Sequence, residues 1–193
     1  MNDRDKRTFF RLSDPVEVDS VLVSKSDVAT KNVYDFFESD SSFHIQRELH
    51  DLTLESKEIL RSITQSDRQL GSFLNNLNKR IELLGKGLSP SRNSLSNQYD
   101  DVTQISEGGI SFISQKMINE GDHLALKLIF HPTLLGILSF SVVKHCRLLS
   151  ESHEYRIGAE FINLSHHDQR LLGRHIIQRQ AEERRERLRK EGH

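Results

Sequence analysis

The sequence predicts a mainly β protein with an α insertion: a small antiparallel barrel or sandwich, a long helix after its first strand, and a helix at its C-terminal end. Three observations carry this reading. The segments "GGISFIS", "DHLALKLIF", "LGILSFSVVKHCRLL" and "YRIGAEFINL" alternate or run apolar over short lengths, separated by the turn-forming "NEGD", "HPT" and "SESHE". Residues 43–88 contain no proline and space their apolar residues by threes and fours. After "LSHHD" the pattern becomes helical again and ends in the charged "QAEERRERLRK".

Element by element, "PVEVDSVLV" places Val16, Val18, Val21 and Val23 among polar neighbours, as on a half-buried first strand. Val33, Tyr34, Phe36 and Phe37 then suggest a short helix packing an aromatic edge. The longest regular pattern follows. Leu49, Leu52, Ser56, Ile59, Ile63, Ser66, Leu70, Phe73, Leu77, Arg80 and Leu84 step in an unbroken 3-4 alternation, and eight of these eleven positions are apolar. That is a heptad seam on one coiled-coil-type helix over 43–88. Leu60, Leu74 and Ile81 widen the stripe beyond a narrow zipper. A helix with so long an apolar face must pair with copies of itself or fold back on the barrel, and self-association is the expectation. Leu49, Leu52, Ile59, Ile63, Leu70, Phe73, Leu77 and Leu84 would form that contact. "GKGLSPSRNSLSNQYD" ends the helix in a connector rich in Gly, Ser and Asn. The chain thus divides into 1–23, 24–98 and 99–193, with Ser165 or Asp168 capping the last helix.

Composition narrows the function. The formal net charge of −1 and an aromatic content of 7% argue against nucleic-acid binding, which draws on a basic excess and stacking platforms. A single cysteine, Cys146, forms no internal disulfide and suits a reducing compartment. The start "MNDRDKRTFF" is too charged for a signal peptide, and no stretch approaches ~18 consecutive apolar residues, so a cytoplasmic protein without membrane insertion is expected. The ten histidines show no metal-ligand spacing, and no carboxylate pair or nucleophile with its base stands out. An enzyme, a metal site and a cofactor are therefore not expected.

Two short stretches carry binding chemistry. In "RDKRTFFRL", Arg7 and Arg11 stand four apart, and guanidinium forks grip phosphate oxygens and stack on purine faces. In "QISEGGISF", Ser106 offers a hydroxyl, and Gly108 and Gly109 let the backbone turn tightly or approach a ligand. Taken singly, the first reads as a solvated basic terminus and the second as a plain hairpin turn. Together, RxxxR (Arg7 to Arg11), followed by Gln104-x-Ser106-x-x-Gly109 leading into a strand, resembles the PilZ domain family of bacterial cyclic di-GMP receptors. "YRIGAEFINLSHHDQRLLGRHI" is similar to that family's last strand and following helix. The resemblance spans the first 23 residues and about Tyr99 to Arg179, leaving 24–98 outside it.

The resemblance implies a six-stranded antiparallel barrel binding cyclic di-GMP on its exterior. Arg7 and Arg11 would contact phosphates and guanine faces, with Gln104, Ser106 and Gly109 at the second motif. The family has Asp or Asn where this chain has Gln104, which keeps the carbonyl acceptor but adds a methylene and carries no charge. A hydrogen bond lost there would cost about 0.5–1.5 kcal/mol. The implied function is a non-enzymatic receptor that passes the signal to an unidentified downstream protein, as a homo-oligomer through helix 43–88. The alternative is a PilZ-like oligomeric scaffold that binds no cyclic di-GMP.

Overall fold

A computed structural model describes residues 12–87, 103–131, 133, 135–149 and 153–191. The chain forms β1 (Leu12–Asp14), β2 (Val16–Val23), α1 (Lys25–Thr30), a 3-10 turn (Val33–Phe36), α2 (Ser41–Ser66) and α3 (Arg68–Gly87). It continues with β3 (Thr103–Ser106), β4 (Gly109–Ser114), β5 (His123–Phe130), β6 (Leu135–Leu149), β7 (Glu154–Ile162) and α4 (His166–Glu191). The strands make one antiparallel sheet in the order β1-β3-β4-β7-β6-β5-β2.

This differs from the expected six-stranded barrel in two respects: there are seven strands, and the ladder is open. Pro15 is the cause. Having no N–H, it interrupts the first strand, so Leu12–Asp14 pairs with β3 while Val16–Val23 pairs with β5. The two edges of the sheet are therefore consecutive in the chain with one residue between them. Curling the sheet to bring them together encloses a core of Leu12, Ile105, Phe112, Leu126, Phe130, Ile137 and Ile157. Leu171, Leu172 and Ile176 of α4 complete it.

Helix is also more extensive than a mainly β protein implies: half of the described residues are helical and about a third are strand. The expected single helix over 43–88 breaks at Asp67 and folds back as an antiparallel hairpin. Asp67 leaves helical geometry (φ −137°, ψ 101°), and its Oδ1 accepts from the backbone N–H groups of Gln69 and Leu70, both at 3.0 Å. A heptad count steps over this cap because an aspartate at a polar position leaves the apolar period intact. Gly71 permits the tight reversal, since a Cβ there would lie 2.6 Å from the Thr64 Cα. At the open end of the hairpin, Gln46 Nε2 donates to the Gly85 carbonyl at 3.4 Å.

The near-continuous apolar runs of β5 and β6 follow from burial on both faces. One face meets the main core that the curled sheet encloses. The other, through Ala125, Ile129, Leu138 and Phe140, meets Phe37 and Phe43 of the helical insertion. Within this second interface lies Lys127, 8% exposed, its ammonium bonded to Asp40 and 3.2 Å from Asp19. Asp40 also caps α2, accepting from Phe43 N–H at 3.1 Å and from the Ser42 hydroxyl at 2.6 Å. Burial opposes ionisation of Asp40, yet the Lys127 ammonium and these two donors outweigh it and hold the pKa at about 2, against an ordinary 3.8. A folded value below the unfolded one means a contribution present above about pH 4 and lost as pH falls toward 2. By linkage it amounts to about 2 kcal/mol. Urea unfolding of Asp40→Asn and wild type is expected to show a midpoint gap at pH 7 that closes across this acid range.

Candidate functional site

The outer face of the sheet is covered over β5 and the start of β6, and open over β3, β4, β7 and the end of β6. Alternation decides which residues reach that open face. On β3, Thr103 and Ile105 point into the core, leaving Gln104 and Ser106 outside. On β4 and β7, Ile110, Phe112, Ile157 and Ala159 point inward, leaving Gly109, Ser111, Arg156, Gly158 and Glu160 outside. A register shift between Val143 and His145 re-aims the end of β6, so that Lys144, His145 and Arg147 join the same face.

These residues line a groove of about 460 Å³. Its floor is the pair β4 and β7, where Gly109, Ser111 and Gly158 keep side chains short. Gln104, Ser106 and the turn residue Gly108 form one wall; Lys144, His145 and Arg147 form the other. Straight across the sheet, Ser13 pairs with Gln104, Gln104 with Ser111, Ser111 with Gly158, and Gly158 with His145. The balance of charge is cationic: Lys144, Arg147 and Arg156 face one acidic liner, Glu160, whose carboxylate is 2.8 Å from the Lys144 ammonium.

The expected second motif therefore falls together. Gln104, Ser106 and Gly109 share the groove, on the β3–β4 hairpin. Ser106 Oγ donates to the Gly109 carbonyl at 3.2 Å, which ties the turn. Gly109 serves a close approach rather than an unusual backbone angle: a Cβ would lie 2.4 Å from the Ala159 carbonyl oxygen of β7. Phe161 N–H donates to the Gly108 carbonyl at 3.0 Å, fixing the turn to β7. Arg7 and Arg11 lie outside the described residues. Lys144, Arg147 and Arg156 were missed by motif reading, because their meeting depends on the register of two strands and on a bulge. The one sequence signal for them was their place on alternating segments that flank the "SESHE" turn.

The expected contact residues of the insertion divide by position. Leu52, Ile59, Leu70, Phe73, Leu77 and Leu84 are exposed, whereas Leu49 and Ile63 are half-buried. Among the described residues no cluster of His, Cys, Asp or Glu could hold a metal ion, and no helix is long and apolar enough to cross a membrane.

Comparison with known proteins gives this geometry a family. Residues 89–178, which span β3 to β7 and the first half of α4, match the family described as PilZ domain. The chain carries a PilZ domain. No curated protein matches the chain in sequence. Among solved structures it is similar to a Bacillus subtilis inhibitor of motility, at 22% identity and a TM-score of 0.39. That match covers 44% of this chain, which spans 43% of the other. It is also similar to a Xanthomonas campestris protein described as a tetrameric PilZ domain self-assembled via a helical bundle. There the identity is 16% and the TM-score 0.50, over 93% of this chain and 89% of that one. The second likeness extends over the insertion as well as the PilZ domain, and shows a shared fold.

Proposed function

We propose that this chain is a cytoplasmic, non-enzymatic cyclic di-GMP receptor that passes the signal to a downstream protein, as a homo-oligomer joined through its helical hairpin. PilZ domains are in general ligand-binding domains for this dinucleotide. The observation that carries the reading here is the groove itself: Gln104, Ser106 and Gly109 share one concave surface with Lys144, Arg147 and Arg156. A cyclic dinucleotide has two phosphodiester charges and two planar bases. Such a ligand suits a cationic, short-floored groove on an otherwise near-neutral protein. In the sequence Arg11 directly precedes Leu12, and Leu12 pairs with Ile105, between Gln104 and Ser106.

Arg7 and Arg11 would bind phosphate and guanine, drawing their segment onto β3 beside the turn, while Gln104 offers a carbonyl to a guanine edge. Ligand then alters the surface formed by β1 and the hairpin turn, which is the differential contact signalling needs. Isothermal titration of the full chain with cyclic di-GMP at low salt tests this. Saturable binding at micromolar affinity or tighter, lost on Arg7→Ala, is expected. No heat at high protein concentration would overturn the receptor reading in favour of an oligomeric scaffold.

A further inference from the structure

We infer that Arg147 and Arg156 form a phosphate clamp on the β6–β7 side of the groove, and that Gly158 is glycine to keep the floor beside them flat for the ligand. The inference rests on the receptor reading and assigns it three residues that lie outside the two sequence motifs.

Arg147 and Arg156 are direct partners across the β6–β7 ladder, and both reach the groove. Like charges opposite one another destabilise a sheet. The two lysines of the sheet are neutralised, Lys144 by Glu160 and Lys127 by Asp40 and Asp19. Arg147 and Arg156 have no hydrogen bond or ion pair to any described residue. Two arginines thus stand on directly opposed backbone positions along one side of an open groove, where the one acidic liner, Glu160, is already engaged by Lys144. A phosphodiester bridging them would receive paired N–H donors and relieve their repulsion.

Gly158 points the same way. It stands mid-strand between Ser111 and His145, where glycine is unfavourable. Neither packing nor backbone demands it. An added Cβ would meet its nearest neighbour, the His145 side chain, at an ordinary 3.7 Å, and the backbone is not left-handed. Gly109, one strand away, contrasts with it, because there the Ala159 carbonyl leaves no room. What a side chain at 158 would occupy is the groove.

The test measures two quantities on the full chain for Arg147→Gln, Arg156→Gln and Gly158→Val. These are cyclic di-GMP affinity by titration at two salt concentrations, and the urea midpoint without ligand. Each arginine variant is expected to lose at least about tenfold in affinity, with a shallower salt dependence and an unchanged or higher midpoint. Gly158→Val is expected to lose binding while its midpoint rises. Variants that bind as tightly as wild type would overturn the clamp and leave the receptor reading standing. Arginine variants that lose affinity only together with a lowered midpoint would show a structural pair and overturn it too. A wild-type chain that binds no cyclic di-GMP overturns both.

Discussion

Asp14→Ala is expected to destabilise the fold by about 3–5 kcal/mol, the cost of removing one partner from a buried ionic network. The Asp14 side chain is fully buried on the three-residue β1, and its two oxygens face α4. Oδ1 accepts from Arg179 Nε at 2.8 Å, and Oδ2 lies 2.5 Å from His175 Nε2. A carboxylate only accepts, so the imidazole N–H is the donor. The His175 ring is itself buried against Phe130, with ring centroids 4.6 Å apart. Alanine would leave a buried imidazole without its acceptor and a half-buried guanidinium with only the exposed Glu182.

Against a typical total stability of about 5–15 kcal/mol, a loss of that size is a large share. A lowered urea midpoint with unchanged slope is the check. Glu182→Gln is the control: it removes the other carboxylate on Arg179, at 2.9 Å but exposed, and is expected to cost under about 1 kcal/mol. Equal effects of the two variants would mean that Arg179 position, not the buried acceptor, holds α4. Under the proposed receptor function the network also bears on binding: it fixes the short strand that Arg11 directly precedes in sequence, so its loss is expected to weaken cyclic di-GMP affinity along with stability.

Period and turn chemistry made the β elements legible. "DHLALKLIF" and "YRIGAEFINL" became β5 and β7 almost residue for residue. Ser165 caps α4, its Oγ accepting from Asp168 N–H at 3.0 Å. Asp168 instead turns to Arg47, 2.7 Å away on α2. That ion pair joins residues far apart in the chain, so no local pattern announces it. The hairpin was hidden for a different reason. A heptad stripe specifies which side of a helix is apolar but not where the chain reverses, and Asp67 sits at a position the period tolerates. The site was half legible. Gln104, Ser106 and Gly109 are adjacent in sequence and their chemistry is local, whereas Arg147 and Arg156 meet only through strand register.

Phe73→Glu combined with Leu84→Glu is expected to convert an oligomer into monomers without unfolding the hairpin. Folding back satisfies only one side of each helix. The seam inside the hairpin uses small or polar side chains at its tightest points, Thr64 against Gly71 and Gln46 against Gly85. Large apolar residues remain outside. Ile45, Leu52 and Ile59 recur every seven residues on α2, and Leu70, Phe73, Leu77, Ile81 and Leu84 step by three and four on α3, all exposed. A soluble chain seldom leaves so continuous a stripe uncovered, and its heptad spacing fits the same stripe of a second copy. Phe73 and Leu84 are 63% and 71% exposed, so neither contributes much within one protomer. Burying such a pair between copies is worth about 3–6 kcal/mol, or roughly two to four decades in association constant. Light scattering should therefore show mass falling to one chain, with helical circular dichroism retained. If the double variant keeps the wild-type mass, the hairpin stripe is not the assembly surface. If wild type is itself one chain at high concentration, oligomerisation is not part of its function.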